Sequence, residues 1–427
     1  MEVKLMAKNY LLKCGKLFDG IHDELFENME IFVEGTKIGK VGRNLPVPEG
    51  TEVVDLGGLT VTPGMIDAHV HGNLMRWQEM DTILYQSEGY STLAFLHTAQ
   101  RSLERGFTTI RCNGMGPLGY GIVDVKKVID RGLFDAARMI VGAHMLGGPG
   151  MPGDMSMYAC ENQPVSDMIQ IDTIGSGVDF FINQVRREVK YGTDFIKIFL
   201  SGSFLSPDGG PEISYLNGDE LRAIIETAHD LGKPVTAHVY PPRMMKKLAQ
   251  FGIDGMEHGA LMDEETARLI EDKGIYLTPT FSPFQDVIEE NDELVNKNTA
   301  DSQMKLRKFA PRLRESRKII RDSNIKLGFG SDFCAVHQPY ESWYEYRSWM
   351  RSGMGAFRTL KAATAVNAKI LGIDSFTGTI EEGKEADIAG WHRDLLNDCD
   401  ALKECDFVMK GGKIHETDDK VIDDFYA

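Results

Sequence analysis

The chain has no Cys-x-x-Cys pair, no surplus of positive charge, and no apolar run near the roughly 20 residues a bilayer-spanning helix needs. Each absence excludes something. The six cysteines (Cys14, Cys112, Cys160, Cys334, Cys399 and Cys405) are scattered. That argues against a disulfide framework or a zinc knuckle, and for reduced thiols in the cytoplasm. With 47 Lys and Arg against 64 Asp and Glu, the formal net charge is -17. No overall positive field exists to attract a nucleic acid or an anionic membrane. The opening residues, MEVKLMAKNYLLKCGK, lack the long apolar core of a signal peptide. A cytoplasmic protein is expected, with neither nucleic acid nor membrane as partner.

What the chain does have is length and alternation. Its 427 residues can bury a large core. Residues 1–62 read as short strands with turns, among them MEIFVEGTKIGKVG and TEVVDLGGLTVTP. The C-terminal stretches GTIEEGKEADIAGW and DFVMKGGKIHE have the same texture. Residues 1–62 and 378–427 are therefore expected to pair into one small β-sandwich, with a domain of residues 63–377 inserted between them. That middle part alternates apolar strands (MIDAHVH, TTIRCN, ARMIVGAHM, DFIKIFLSG, PVTAHVY, GMEHGA, GIYLTPTF and KLGFGSD) with helical patterns such as TLAFLHTAQRSLERG, GDELRAIIETAHDLG and MDEETARLIEDKG. Eight strands each followed by a helix predict an α/β fold, a (β/α)8 TIM barrel. The Gly-, Pro- and Met-rich loop 142–180 follows a strand of the catalytic face and reads as a lid or substrate wall. The charged stretch 283–323 reads as a solvated helical excursion.

Active sites of such barrels lie at the C-terminal strand ends, where polar residues stand out here. His69 and His71 are two apart on a strand, so their side chains share one side and fit a single metal ion. Lys197 sits in a strand expected to be buried on both faces. It is either half of an ion pair, with Asp194 or Glu257, or a lysine that has reacted with carbon dioxide to give a bridging carbamate. His238 and His258 each read as a core histidine or a ligand, and Asp332 as a helix N-cap or a ligand. All six falling at strand ends favours a common metal site. Imidazole and carboxylate donors suit zinc, with manganese and iron behind it.

GMIDAHVHGN, DFIKIFLSG, AHVY, EHGALMDEE and GSDF, in that order, resemble the amidohydrolase superfamily. So do the tail GTIEEGKEADIAGW and the helix KAATAVNAKILGI, and the likeness runs along essentially the whole chain. The nearest branch is the imidazolonepropionase-like and prolidase-like one, which cleaves dipeptides or N-acyl amino acids. The resemblance implies a binuclear site: His69, His71 and Asp332 on one metal, His238 and His258 on the other. N6-carboxylysine at Lys197 and a hydroxide would bridge them. Two departures fall in the substrate pocket. Arg111-Cys112-Asn113 stands where the branch has an Arg-Asp pair, and Gly147-Gly148-Pro149 where it has Gly-Gly-His.

The implied chemistry is hydrolysis of the C–N bond of a small amide by hydroxide attack. Asp332 would shuttle the proton, and Tyr240 would bond the developing oxyanion or the substrate carboxylate. Arg243 and Arg111 are further substrate candidates. The expected partners are a small amide and further copies of the chain as a homo-oligomer. One alternative on the same barrel is a cyclic amide or imidazolone hydrolase, or a deaminase. Mononuclear deaminases often place a glutamate three residues after the fifth-strand histidine; here that residue is Pro241. The other alternative is a scaffold protein that has lost its ligands.

Overall fold

The computed structural model describes residues 8–72, 84–114, 119–159, 161–169, 172–206, 209–333 and 341–417. Strands from both termini share one eight-stranded sheet. Its order is Lys413–His415, Phe407–Lys410, Ile388–Trp391, Thr51–Pro63, Asn9–Leu17, Glu30–Glu34 and Lys37–Gly42, with Phe26–Glu27 also paired to Asn9–Leu17. Alternation builds its core. Ile31 and Val33 point inward, as do Leu12, Val61, Ile388 and Met409, all fully buried. Strands from the N- and C-terminal segments thus meet in a single sheet.

The middle of the chain forms two parallel sheets. Met65–Val70, Phe107–Asn113 and Arg138–Gly142 make one. Met145–Leu146, Ile196–Phe199, Val235–Val239, Gly255–His258 and Tyr276–Thr278 make the other. Each Met65–Val70 residue is buried, as are all of Ile196–Phe199 and Val235–Val239, because helices cover parallel strands. The expected strand ARMIVGAHM is divided between the two sheets, after Gly142.

The expected last strand, KLGFGSD, forms only one bridge, Leu277 to Leu327. It nevertheless lies between the two sheets. Leu277 N donates to Lys326 O and Gly328 N to Leu277 O; on the other side Ala68 N donates to Phe329 O and Asp332 N to His69 O. Glycine makes this approach feasible. A Cβ on Gly330 would lie 2.4 Å from the Thr278 side chain and 2.6 Å from the Cβ of His69.

Helix signals were sound where caps exist. Gly218–Asp230 starts at a capping box: Asn217 accepts from the Glu220 amide at 3.1 Å, and Glu220 accepts from the Asn217 amide at 2.9 Å. The charged stretch differs from its reading as a solvated excursion. Its helix Ala300–Asp322 carries Leu306, Phe309, Ala310 and Leu313 at i, i+3, i+4 and i+7, and all four are buried. Charge dominates its composition and masks that stripe. Among the described residues no helix is long and apolar enough to cross a membrane.

Candidate metal centre

The parallel strands deliver their polar residues to one end. His69 lies on Met65–Val70 and His71 one residue beyond it; Lys197, His238 and His258 lie on three adjacent strands of the second sheet, Ile196–Phe199, Val235–Val239 and Gly255–His258. Asp332 follows the bridging segment. All six line one cavity. Two of them hold a left-handed backbone, His258 at φ 69° and Asp332 at φ 51°. Such conformations persist only where surrounding contacts over-determine them, and they cluster at functional sites.

Partners on the far side of each ring orient the imidazoles. His71 Nδ1 lies 2.6 Å from Gly114 O, and a carbonyl can only accept, so the proton is on Nδ1. His69 Nδ1 lies 2.7 Å from Glu257 Oε2. Glu257 is fully buried, which opposes ionisation, but Arg111 and Lys197 outweigh burial and hold its carboxyl below the usual range. His69 therefore donates to a carboxylate. His258 Nδ1 pairs with Thr280 Oγ1 at 2.6 Å, and His238 makes a backbone hydrogen bond to Gly202. Burial, reinforced by neighbouring cationic groups, pushes His69, His238 and His258 well below the ordinary histidine value, so they stay neutral.

The consequence is a cluster of acceptors. His69 Nε2 and His71 Nε2 are 3.3 Å apart, and with Nδ1 the donor in each ring the neutral imidazoles turn both Nε2 lone pairs toward each other. Asp332 Oδ1 is 3.3 Å from the latter and 3.7 Å from the former. His258 joins: it, His69 and Asp332 offer ligand atoms within 4.8 Å of one another. Lys197 Nζ and His238 Nε2 are buried without a hydrogen-bond partner. Burial also pushes the Lys197 amine down to about 8. Lone pairs facing one another repel unless a cation sits among them, and imidazole and carboxylate donors fit a divalent metal. Neither Asp194 nor Glu257 hydrogen-bonds Lys197. Asp194 Oδ2 accepts from Val141 N at 2.8 Å, and Glu257 is taken by His69, Arg111 and Thr236.

Tyr240 lines the cavity, its ring 4.6 Å from His238 and 5.4 Å from His258. The two arginines expected at the substrate do not line it. Arg111 is 2% exposed and lies beneath the site. There it donates to Glu257 and Ala68 O at 2.6 Å and to Tyr276 at 2.8 Å. Arg111 occupies a strand interior, so its side chain meets strand neighbours. Arg243 is exposed on the helix Pro242–Gln250 and donates to Glu212 O at 2.5 Å.

Sequence reasoning missed the supports: Gly114 O, Thr280, Asp67 and Glu345. Asp67 was visible inside MIDAHVH. It accepts from His69 N at 3.0 Å, from Ser331 Oγ at 2.5 Å and from Ser342 Oγ at 2.7 Å, and so ties the first histidine to the Asp332 segment. Glu345 carried no signal. From the helix Trp343–Arg351 it accepts the amides of Phe281 at 2.8 Å and Ser282 at 2.6 Å, next to Thr280.

Glu345→Ala is expected to leave two buried amides unpaired, at about 1–3 kcal/mol each in urea unfolding. Burial pushes the Glu345 carboxyl up to about 7, against the pull of those amides. Its folded value lies above its unfolded one, so its contribution to stability falls as pH rises from about 4.3 toward 7. Glu345→Gln should therefore compare better with the parent at pH 8 than at pH 5. An unchanged difference would mean that the carboxyl ionises normally.

Residues 60–415 match the amidohydrolase family. An ochratoxinase from Aspergillus niger is 25% identical over 431 residues, covering 96% of this chain and 87% of that protein. The crystal structure of a Xaa-Pro dipeptidase with bound methionine has a TM-score of 0.86 at 25% identity, covering 96% of this chain and 100% of that one. A prolidase complexed with N-methylphosphonate-L-proline has a TM-score of 0.82 at 25% identity, over the same shares of both chains. Because the family match runs across every strand that carries a cavity residue, the chain belongs to the amidohydrolase family and is an amidohydrolase enzyme.

Proposed function

We propose that the enzyme is a metal-dependent hydrolase that cleaves the C–N bond of a small amide: an N-acyl amino acid, a dipeptide or a related compound. The observation that carries this reading is the convergence of imidazole nitrogens and a carboxylate oxygen beside a buried lysine amine without a hydrogen-bond partner. The likeness to a Xaa-Pro dipeptidase and a prolidase supports an amide as the target. The same reading takes the two parallel sheets and the 326–332 segment, bonded on both sides, as one closed barrel. It takes the terminal sheet with its own core as a small β-sandwich.

His69, His71 and Asp332 would hold one divalent ion and His238 and His258 a second, with Lys197, carboxylated at Nζ, between them; zinc suits these donors. Bound there, the ions supply a water acidified to react near neutral pH and polarise the scissile carbonyl. The residues direct the rest. Asp332 takes the proton released as the tetrahedral centre forms and delivers it to the leaving nitrogen. Tyr240 stands at the wall beside His238 and His258, placed to donate to oxygen charge developing on the substrate. Glu257 and Gly114 O keep the His69 and His71 lone pairs turned to the cavity.

Elemental analysis together with an amide screen tests this. About two metals per chain and release of a carboxylic acid plus an amine are expected. Near one metal with ammonia release would indicate a deaminase. Near none, with no turnover, would indicate a scaffold.

A further inference from the structure

The cavity lining combines two kinds of chemistry. Six of the lining residues are the metal-site residues. The rest are Met145, Phe199, Leu205, Tyr240, Pro283 and Phe284, with Ser203 the one further polar side chain among the described lining; Phe199 and Tyr240 adjoin His238 at 3.9 and 4.6 Å. These apolar residues form a built wall. Phe204 stands behind it, edge-on to Tyr240 at 4.9 Å, to Phe284 at 5.3 Å and to Phe309 at 5.6 Å. Tyr240 and Phe284 are themselves 6.0 Å apart and edge-on. Leu306, Phe309, Ala310 and Leu313 of the helix Ala300–Asp322 complete the same cluster. Met145 and Phe199 are backed separately by Met151 and Met155.

Polar ties fix the segments that form the wall. Lys305 Nζ donates to Ser206 O at 2.7 Å and pairs with Asp301 at 2.6 Å. Arg312 pairs with Glu212 at 2.8 Å. Glu345 and Arg317 hold Phe281, just before Pro283 and Phe284, by its amide and its carbonyl. The rings facing the cavity are thus preset. Apolar surface of this kind gains from an apolar ligand and leaves a charged one dehydrated. Among the described residues the sole cationic side chain in the lining is Lys197, one of the metal-site residues.

We propose that this wall selects amides carrying a flat, apolar group on one flank of the scissile bond, with Phe284 and Leu205 as specificity-determining residues. The inference rests on the amide-hydrolase reading above and narrows it to a substrate class. Short or charged flanks leave the wall uncovered or strip a charge of its water. An aromatic ring fills it in contact with Phe284, Leu205 and Tyr240.

The test uses the metal-loaded enzyme and four amides: N-benzoylglycine and 4-nitroacetanilide, each with one flat flank, and N-acetylglycine and glycylglycine, with none. At least one flat amide is expected to exceed both small ones in kcat/KM by ~10-fold or more, the range a filled apolar pocket gives. In Phe284→Ala and Leu205→Ala the ratio should narrow, chiefly through a raised KM for the flat substrate. Phe284→Leu keeps apolar bulk if the alanine variant folds poorly, and should narrow it less. Equal or higher kcat/KM for N-acetylglycine or glycylglycine in the parent enzyme overturns the inference and leaves amide hydrolysis standing. No turnover of any of the four overturns both.

Discussion

Asp332→Asn is expected to lower kcat by at least ~100-fold, within the ~100- to 10,000-fold that general acid–base catalysis contributes. Several features isolate the effect. Asparagine tolerates the left-handed backbone of this position, φ 51°, about as well as aspartate does. Its size is the same, so the segment joining the two sheets keeps its bond from Asp332 N to His69 O at 2.7 Å. What is lost is a basic oxygen 3.3 Å from His71 Nε2. The same oxygen is a proposed ligand, so metal content is measured on the same samples. A variant with full metal and near-parent kcat on an amide would show that another group carries the proton.

Lys197→Met should be at least as damaging to activity. Loss of metal-based charge stabilisation worth several kcal/mol corresponds to ~1,000-fold. Metal content should fall by about one ion per chain if carboxylated Lys197 joins the two ions. The same substitution should raise the thermal midpoint of the metal-free protein. Lys197 is 1% exposed and its Nζ has no hydrogen-bond partner, so methionine fills the volume without burying an amine. Carbamate formation has its own signature in the parent. Bicarbonate should speed recovery of activity when metal-free enzyme is given zinc, and should have no effect on Lys197→Met. If bicarbonate leaves the parent unaffected as well, Lys197 acts as an amine.

Most of the centre was legible before the fold was known, for local reasons. The two-residue spacing of His69 and His71 puts both on one side of a strand, and each later polar residue interrupted a short apolar run. The cap residues of Gly218–Asp230 were equally local. Legibility ended where composition and packing disagree. The helix Ala300–Asp322 looks solvated because charge dominates it, yet its Leu306–Leu313 stripe is buried with Phe204, Tyr240 and Phe284. KLGFGSD looks like a strand, but its glycines serve close approach to Thr278 and His69. Arg111 was a substrate candidate because it stands where the resembled branch has an Arg-Asp pair, whereas its guanidinium balances the buried Glu257.

The sequence by itself determined the donors and the order in which strands present them, since strand period and apolar runs depend on neighbours a few residues away. Tertiary structure alone decided how those donors are tuned. Glu257 is 188 residues from the His69 it orients, Gly114 is 43 from His71, and Ser331 is 264 from Asp67. The first two pairings set which ring nitrogen keeps its proton, and so which lone pairs face the cavity; the third ties the His69 strand to the Asp332 segment. No local pattern encodes that choice. It arises because a buried imidazole takes the tautomer its distant partner demands.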